Sequence, residues 1–351
     1  MISGKIVMRS IEQGDDLLKA GLYLLTFMLL VLSGALVATS CDSSFPNLQP
    51  ARPDNITATG SIPSASIDKA TSAGRIAFFS NKSGNFHLHI MNLDGSGQTQ
   101  LTFDDSRFEI DGFPSWSPDG RKIAYNSYVA GPNGGRQMIY IINADGSNET
   151  CLTPGSDGYS PSWSPDGSRI LFLSDRDSDP GSNSHISELY LMSVDGTDQT
   201  RLTNYNGKFY AASWSPDGSK IVSVFKPSYG GPEKILVMKS DATVADKIYS
   251  DDRLLCRAPL FSKDGSQILA NFIGPVLALT GMYLMNTDGS NLVRLGGGEG
   301  SWSPDGQKIV FSYGARTSPF SSQLWAMNKD RSNLAKILDT PGTHLRPAWS
   351  P

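Results

Sequence analysis

From Gly74 to the end, short apolar runs alternate with turn residues, and the same order of runs keeps returning. One unit shows the pattern. Pro114-Ser-Trp-Ser-Pro118 is a short strand, A, and Asp119-Gly120 is a tight turn in which glycine accepts a positive φ. Lys122-Ile-Ala-Tyr-Asn-Ser127 alternates apolar and polar positions and predicts strand B. After a loop of variable length, Met138-Ile-Tyr-Ile-Ile-Asn143 predicts strand C. Asp145-Gly146 makes a second turn, and Glu149-Thr-Cys-Leu-Thr153 predicts strand D.

The string Trp-Ser-Pro-Asp-Gly starts at Trp116, Trp163, Trp214 and Trp302. A fifth copy reads Phe261-Ser-Lys-Asp-Gly, and Trp349-Ser350-Pro351 ends the chain. The anchors stand 47, 51, 47, 41 and 47 residues apart, a period that suits one four-stranded propeller blade. The second turn recurs at Asp195-Gly196 and Asp288-Gly289. It changes to Asp241-Ala242 and Asp330-Arg331, which predicts looser hairpins in the fourth and sixth units. The first unit lacks strand A and opens on a B strand, Gly74-Arg-Ile-Ala-Phe-Phe79. The last unit ends with an extra A strand, Pro347-Ala-Trp-Ser-Pro351.

These fragments complete one another. The expected fold is all-β: a six-bladed β-propeller of four-stranded blades over 74–351. Its ring is closed by the C-terminal strand 347–351 joining the N-terminal strands from 74. Closure removes the edges an open sheet would expose. Trp116, Trp163, Trp214, Phe261, Trp302 and Trp349 then become structural inter-blade core. Each Asp of Asp-Gly becomes a turn former whose carboxylate caps nearby backbone N–H groups.

The first residues differ. Lys5, Arg9 and Lys19 precede an uncharged stretch from Ala20 to Ser40, and Ala38-Thr39-Ser40 leads into Cys41. A basic region, an apolar region and small residues predict an export signal over 1–40. Cys41 after small residues resembles a bacterial lipobox, which implies cleavage before Cys41 and a lipid on its thiol. An uncleaved membrane anchor is the alternative, since about 20 apolar residues can span a bilayer. Residues 42–73, rich in Ser, Pro, Thr, Ala and Asn, are expected to be a disordered linker reaching about 30 Å.

Charged residues make up 18 % of the chain and the net charge is -4, unlike the basic footprint of a nucleic-acid binder. Beyond Cys41 the cysteines are Cys151 and Cys256, which fall in different blades and are expected to be unpaired.

The Trp-Ser-Pro-Asp-Gly anchors, the Ile-x-Phe/Tyr strand, the Met-x-x-Asp-Gly turn and the closing Leu-Thr together resemble the TolB-type PD repeat. The resemblance covers the chain from Gly74 to its end. It implies a six-bladed, non-enzymatic propeller of the bacterial periplasm that binds proteins, with a Pal-like lipoprotein partner across the propeller mouth. The chain departs from the family in two ways. A linker-like segment stands where the family has an α/β domain, and the chain looks lipidated where the family is soluble.

In such a propeller the A–B and C–D hairpins open on one face and are uniformly short. The B–C and D–A loops open on the other and carry the variation in length, so binding is expected there. Candidate binding residues in the first D–A loop are Phe103, Asp105, Arg107, Phe108 and Glu109, with Asp104 and Asp111 nearby. Later D–A loops contribute Tyr159, Phe209, Tyr210, Arg253, Arg257, His344 and Arg346. Tyr229 and the acidic run Asp175 to Asp179 belong to B–C loops. Tyr and Arg commonly anchor interfaces.

No metal, cofactor or catalytic residue is expected. The run from Asp175 has Pro180 and Ile186 where a calcium loop needs Gly and Glu. Gly296-Gly-Gly-Glu-Gly300 lacks the Lys-Ser/Thr of a phosphate loop. The function expected is a monomeric, non-catalytic binding module at a bacterial membrane, docking an envelope protein or cell-wall component. The alternative is a propeller-type glycan hydrolase or lyase, with Asp104, Asp105, Glu109, Asp111 and His344 converging at the channel mouth. A buried carboxylate pair about 5–9 Å apart would mark the enzyme.

Overall fold

A computed structural model describes residues 74–351 apart from 105–106, 109–112, 132–134, 179–185, 206, 244, 252–253, 277–278 and 315–320. The expected export signal, the lipid site Cys41 and the linker 42–73 lie outside the described residues. What is described falls within one compact unit, Ala58–Pro351.

Six antiparallel sheets follow one another along the chain, each built in the order A, B, C, D. Blade 1 pairs Arg75–Ser80, His87–Asn92 and Thr99–Gln100 with His344–Trp349 from the far end of the chain. Blade 2 holds Lys122–Val129, Arg136–Asn143 and Thr150–Cys151. Its strand A comes in two pieces, Arg107–Phe108 and Ser115–Trp116, both paired with strand B. Blade 3 is Tyr159–Trp163, Arg169–Ser174, Glu188–Ser193 and Thr200–Arg201. Blade 4 is Gly207–Trp214, Lys220–Pro227, Lys234–Lys239 and Ala245–Ser250. Blade 5 is Leu255–Phe261, Gln267–Ile273, Gly281–Asn286 and Val293–Gly296. Blade 6 is Gly300–Trp302, Lys308–Tyr313, Gln323–Asn328 and Ala335–Leu338.

The B strands explain why the apolar runs are nearly continuous. Side chains alternate across a strand, and a blade is covered on both faces. In blade 1, Ala77 and Phe79 pack with Trp116, Ile123 and Tyr125 of blade 2. Ile76 and Phe78 pack the other way, with Val310, Leu324 and Ala326 of blade 6. Each fully buried Ile or Phe contributes about 1.5–3 kcal/mol.

The ring closes as the incomplete first unit predicts, but with a longer seam. The closing strand starts at His344, three residues before Pro347, and ends at Trp349. Ser80 pairs with His344 and Ile76 with Trp349. Arg75 N donates to Ser350 Oγ at 2.8 Å, and the Trp116 indole donates to Ala348 O at 3.0 Å.

The turns are self-contained. Asp119 Oδ1 accepts Ser117 Oγ at 2.6 Å and Arg121 N at 3.0 Å, and these donors hold its carboxyl below the usual range. Asp166, Asp217, Asp264 and Asp305 repeat the arrangement. The hairpins with Ala242 and Arg331 are not looser than the rest. Ala242 N meets Lys239 O at 2.8 Å and Arg331 N meets Asn328 O at 2.9 Å, matching Gly289 N to Asn286 O at 2.9 Å. The departure is absorbed by the backbone instead, at φ values of 57° and 71° that suit glycine better.

Candidate functional site

Strand A of one blade packs against strand A of the next, as in blades 3, 4 and 5. Four A strands carry a register shift just before the Trp or Phe anchor, a β-bulge that bends the strand and re-aims side chains. At three of them the residue three positions before the anchor has a positive φ: Ser160 at 51°, Ala258 at 47° and Arg346 at 53°. Each precedes a proline. In blade 4 the shift falls at Tyr210, between Phe209 and Ala211.

Two side-chain clusters grow from these bulges. In the first, Arg346 of blade 1 pairs with Glu299, just ahead of blade 6 strand A, at 3.3 Å. Its guanidinium also lies 5.7 Å from the ring of Phe113, on the approach to strand A of blade 2. In the second, the Tyr210 ring is flanked by Arg257 at 4.7 Å and Lys208 at 5.3 Å. Arg257 Nη1 reaches Glu233 Oε2 at 3.0 Å, and the same buried carboxylate accepts Cys256 N at 2.8 Å. Burial, and then the Glu233 charge, push the Tyr210 hydroxyl and the Cys256 thiol upward. Cys256 and Cys151 are both free thiols.

Exposed apolar side chains fall unevenly on the two ends of the blades. Among the described residues, Phe103, Tyr128, Tyr205, Tyr229, Leu255, Ile273, Val276 and Tyr313 lie where strand B ends, where strand A begins, or in the B–C and D–A connections. Only Val293 and Leu334 lie beside C–D turns. Phe103 is 71 % exposed and Tyr229 85 %.

Two family models divide the ring between them. One, described as the TolB beta propeller domain, matches residues 181–351; the other, the dipeptidyl peptidase IV N-terminal region, matches 59–180. A TolB homolog of Chlorobium luteolum is 28 % identical over 163 residues, 46 % of this chain and 34 % of that protein. The Tol-Pal system protein TolB of Zymomonas mobilis is 35 % identical over 83 residues, 24 % of this chain and 17 % of that protein. The crystal structure of TolB from Acinetobacter baumannii superposes with a TM-score of 0.62 at 23 % identity, covering 79 % of this chain and 67 % of that one. The chain is a TolB-like β-propeller. It spans about a third or less of the length of those two curated relatives.

In this TolB-like propeller most D–A candidates lie in strands, not loops. Arg107 and Phe108 pair with Val129 and Tyr128 of strand B. Tyr159 opens strand A of blade 3, and burial pushes its hydroxyl upward. Phe209 and Tyr210 lie in strand A of blade 4, while His344 and Arg346 lie in the closing strand. The reason is the bulge: it breaks the period-2 pattern, so a strand read from the sequence stops at the Pro-Ser-Trp motif. Phe209 is fully buried against Phe225, with ring centroids 4.9 Å apart. Tyr210 and Arg346 keep partial exposure, and of the first-loop residues Phe103 and Asp104 are described and exposed. Asp105, Glu109 and Arg253 lie outside the described residues. Tyr128, Tyr205 and Tyr313 were missed by motif; the signal available was an aromatic at a strand end or beside it.

The geometry also bears on chemistry. His344 is buried inside blade 1, where Nε2 lies 3.1 Å from Thr340 Oγ1 and burial holds its pKa down. Its side chain is closed off from solvent. Asp177 of the acidic B–C run accepts the Tyr190 hydroxyl at 2.5 Å and pairs with Arg201 at 3.5 Å. Among the described residues no group of three His, Cys, Asp or Glu side chains is placed to hold a metal.

Proposed function

We propose that this chain is a non-catalytic binding propeller, exported and held at a bacterial membrane through Cys41. It docks an envelope protein, with a Pal-like lipoprotein the model partner, or a cell-wall component on its B–C/D–A face. The observation that carries this is the one-sided distribution of exposed aromatic and aliphatic side chains, of which Tyr229 and Phe103 are the most exposed. Soluble monomers bury or scatter such groups, and a concentration of them on one face favours association. The cationic residues Arg346, Lys208 and Arg257 sit among aromatics near the same strand ends. His344, one of the groups the glycan-cleaving alternative draws on, is buried, while Asp105, Glu109 and Asp111 lie outside the described residues.

The test is affinity capture from envelope extracts with the full chain and with a Phe103→Ala/Tyr205→Ala/Tyr229→Ala variant. The wild type is expected to retain a discrete partner that the variant loses. Equal recovery by both sinks the choice of face. Anchoring has its own check: Cys41→Ala is expected to leave an unlipidated precursor or release the protein from membranes.

A further inference from the structure

The hairpin face repeats one inter-blade contact. The glycine of a C–D turn lies against strand D of the preceding blade. A Cβ on Gly95 would sit 2.2 Å from Ile337 O, one on Gly196 2.8 Å from Leu152 O, and one on Gly289 1.9 Å from Ile248 O. Only a residue without a side chain permits that approach. The blade 1–2 junction is looser: a Cβ on Gly146 would stand 3.8 Å from Leu101 O, in ordinary contact. Two junctions carry a larger residue. Between blades 5 and 6 the turn residue is Arg331, whose guanidinium reaches back to Arg294 O at 3.5 Å. Between blades 3 and 4 it is Ala242, at a φ of 57°, packed against the same core cluster as Leu191, Leu202 and Trp214.

A groove of ≈ 840 Å³ opens at that junction, lined by both blades. Trp214 forms part of it and is the one repeat anchor that stays partly exposed; the other five are buried. Leu191 and Leu202 add apolar surface. Asp166, Asp198, Asp217 and Asp241 line the same groove, opposed by Arg169 and Arg201. Arg201 is already engaged, at 3.2 Å from Glu188 and 3.5 Å from Asp177. The groove therefore offers an indole beside a lining of net negative charge.

We propose that this groove binds an extended basic peptide segment, with a lysine or arginine side chain laid against Trp214 between the aspartates. A cation beside an indole and opposite carboxylates gains from the ring quadrupole and from charge complementarity. A cleft of this volume holds a segment of a few residues. The site lies on the face opposite the one assigned above, so it stands or falls independently of that assignment.

The probe is fluorescein-labelled hexalysine, with hexaglutamate and cellohexaose as comparison ligands, titrated by anisotropy against the full chain in detergent. Asp217→Asn/Asp241→Asn removes two groove charges while keeping the side-chain oxygen each turn uses. Asp119→Asn/Asp288→Asn removes two equivalent charges at other junctions. Ala242→Gly keeps every charge and lets the junction close. Hexalysine is expected to bind and hexaglutamate and cellohexaose not to. The groove pair and Ala242→Gly are each expected to weaken binding tenfold or more, and the control pair less than twofold. Equal losses in both pairs would assign binding to the general charge of the face and overturn the proposal. Undiminished binding in Ala242→Gly, or preference for cellohexaose, overturns it as well. Circular-dichroism melts of each variant establish that it folds.

Discussion

The two faces of the ring are made by the same strands running in opposite directions, and they obey different rules. On the hairpin face each turn carries its own hydrogen bonds, two residues at a time, as Asp166 does with Ser164 and Ser168. On the loop face the A strands bulge, cations meet aromatics across blades, and Phe103 and Tyr229 stand in water. A repeat that must build six blades fixes what lies inside a blade and at its tight turns. It leaves the long connections free to diverge, which is where a specific partner is best accommodated.

The sharpest way to separate structural from free positions is to truncate both kinds. Trp163→Ala removes a buried wedge that packs with Ile139, Ile170 and Phe172. It is expected to cost about 3–5 kcal/mol in urea unfolding followed by circular dichroism. A loss below about 1 kcal/mol would mean that the anchors are not what holds neighbouring blades together.

How much of this was legible follows from how local each feature is. Trp-Ser-Pro-Asp-Gly was readable because its turn acts within a few positions, Ser117 and Asp119 bonding each other and Gly120 taking the positive φ, while Trp116, which packs across to blade 1, recurs at a fixed place before each turn. The front halves of the A strands were not readable. Ser160, Tyr210, Ala258 and Arg346 each shift the register, so alternation changes sides within one strand. That is why His344 and Phe209 were expected in loops and lie in the core. The groove beside Trp214 was less accessible still, because it is assembled from separate stretches of two blades, from Ser164 to Asp241.

Acid tests a second buried layer. His87, His89 and His344 are all buried in the closing blade, and Phe78 stacks on His89 with ring centroids 5.5 Å apart. Burial, with the Lys82, His87 and His344 charges, lowers the His89 pKa from 6.5 to about 4. A depressed histidine pKa means that the unfolded chain binds the proton first. Stability is therefore full above pH 6.5 and falls as pH drops toward 4. At about 1.4 kcal/mol per pH unit, His89 accounts for a loss of about 3 kcal/mol by pH 4. His89→Gln is expected to reduce that fall and to leave the share of His344, whose pKa burial also lowers. The turn aspartates, whose pKa values are lowered, act only below it. An unchanged slope in the variant would place the acid sensitivity elsewhere.

Within the hairpin face, Gly289→Ala asks whether the close inter-blade approach is required. The new Cβ meets Ile248 O at a residue with φ of 83°. The expected cost is about 1–3 kcal/mol, with a parallel fall in melting temperature. Ala242 shows that the turn itself tolerates the residue, so any loss reports the junction rather than the hairpin. A neutral outcome would remove the physical reason for treating the blade 3–4 junction as exceptional.

The smallest stability effect belongs to the loop face, and there the comparison is most exposed to failure. Phe103→Ala and Tyr229→Ala remove side chains that are mostly in solvent, so unfolding free energy is expected to move by no more than about 0.5 kcal/mol. Capture of the partner is expected to fall tenfold or more for whichever of the two is an anchor. A stability loss near that of Trp163→Ala would mean that these aromatics pack against connections outside the described residues. Unchanged capture together with unchanged stability would leave the exposed aromatics without a binding role, and the difference between the two faces would then be one of loop length alone.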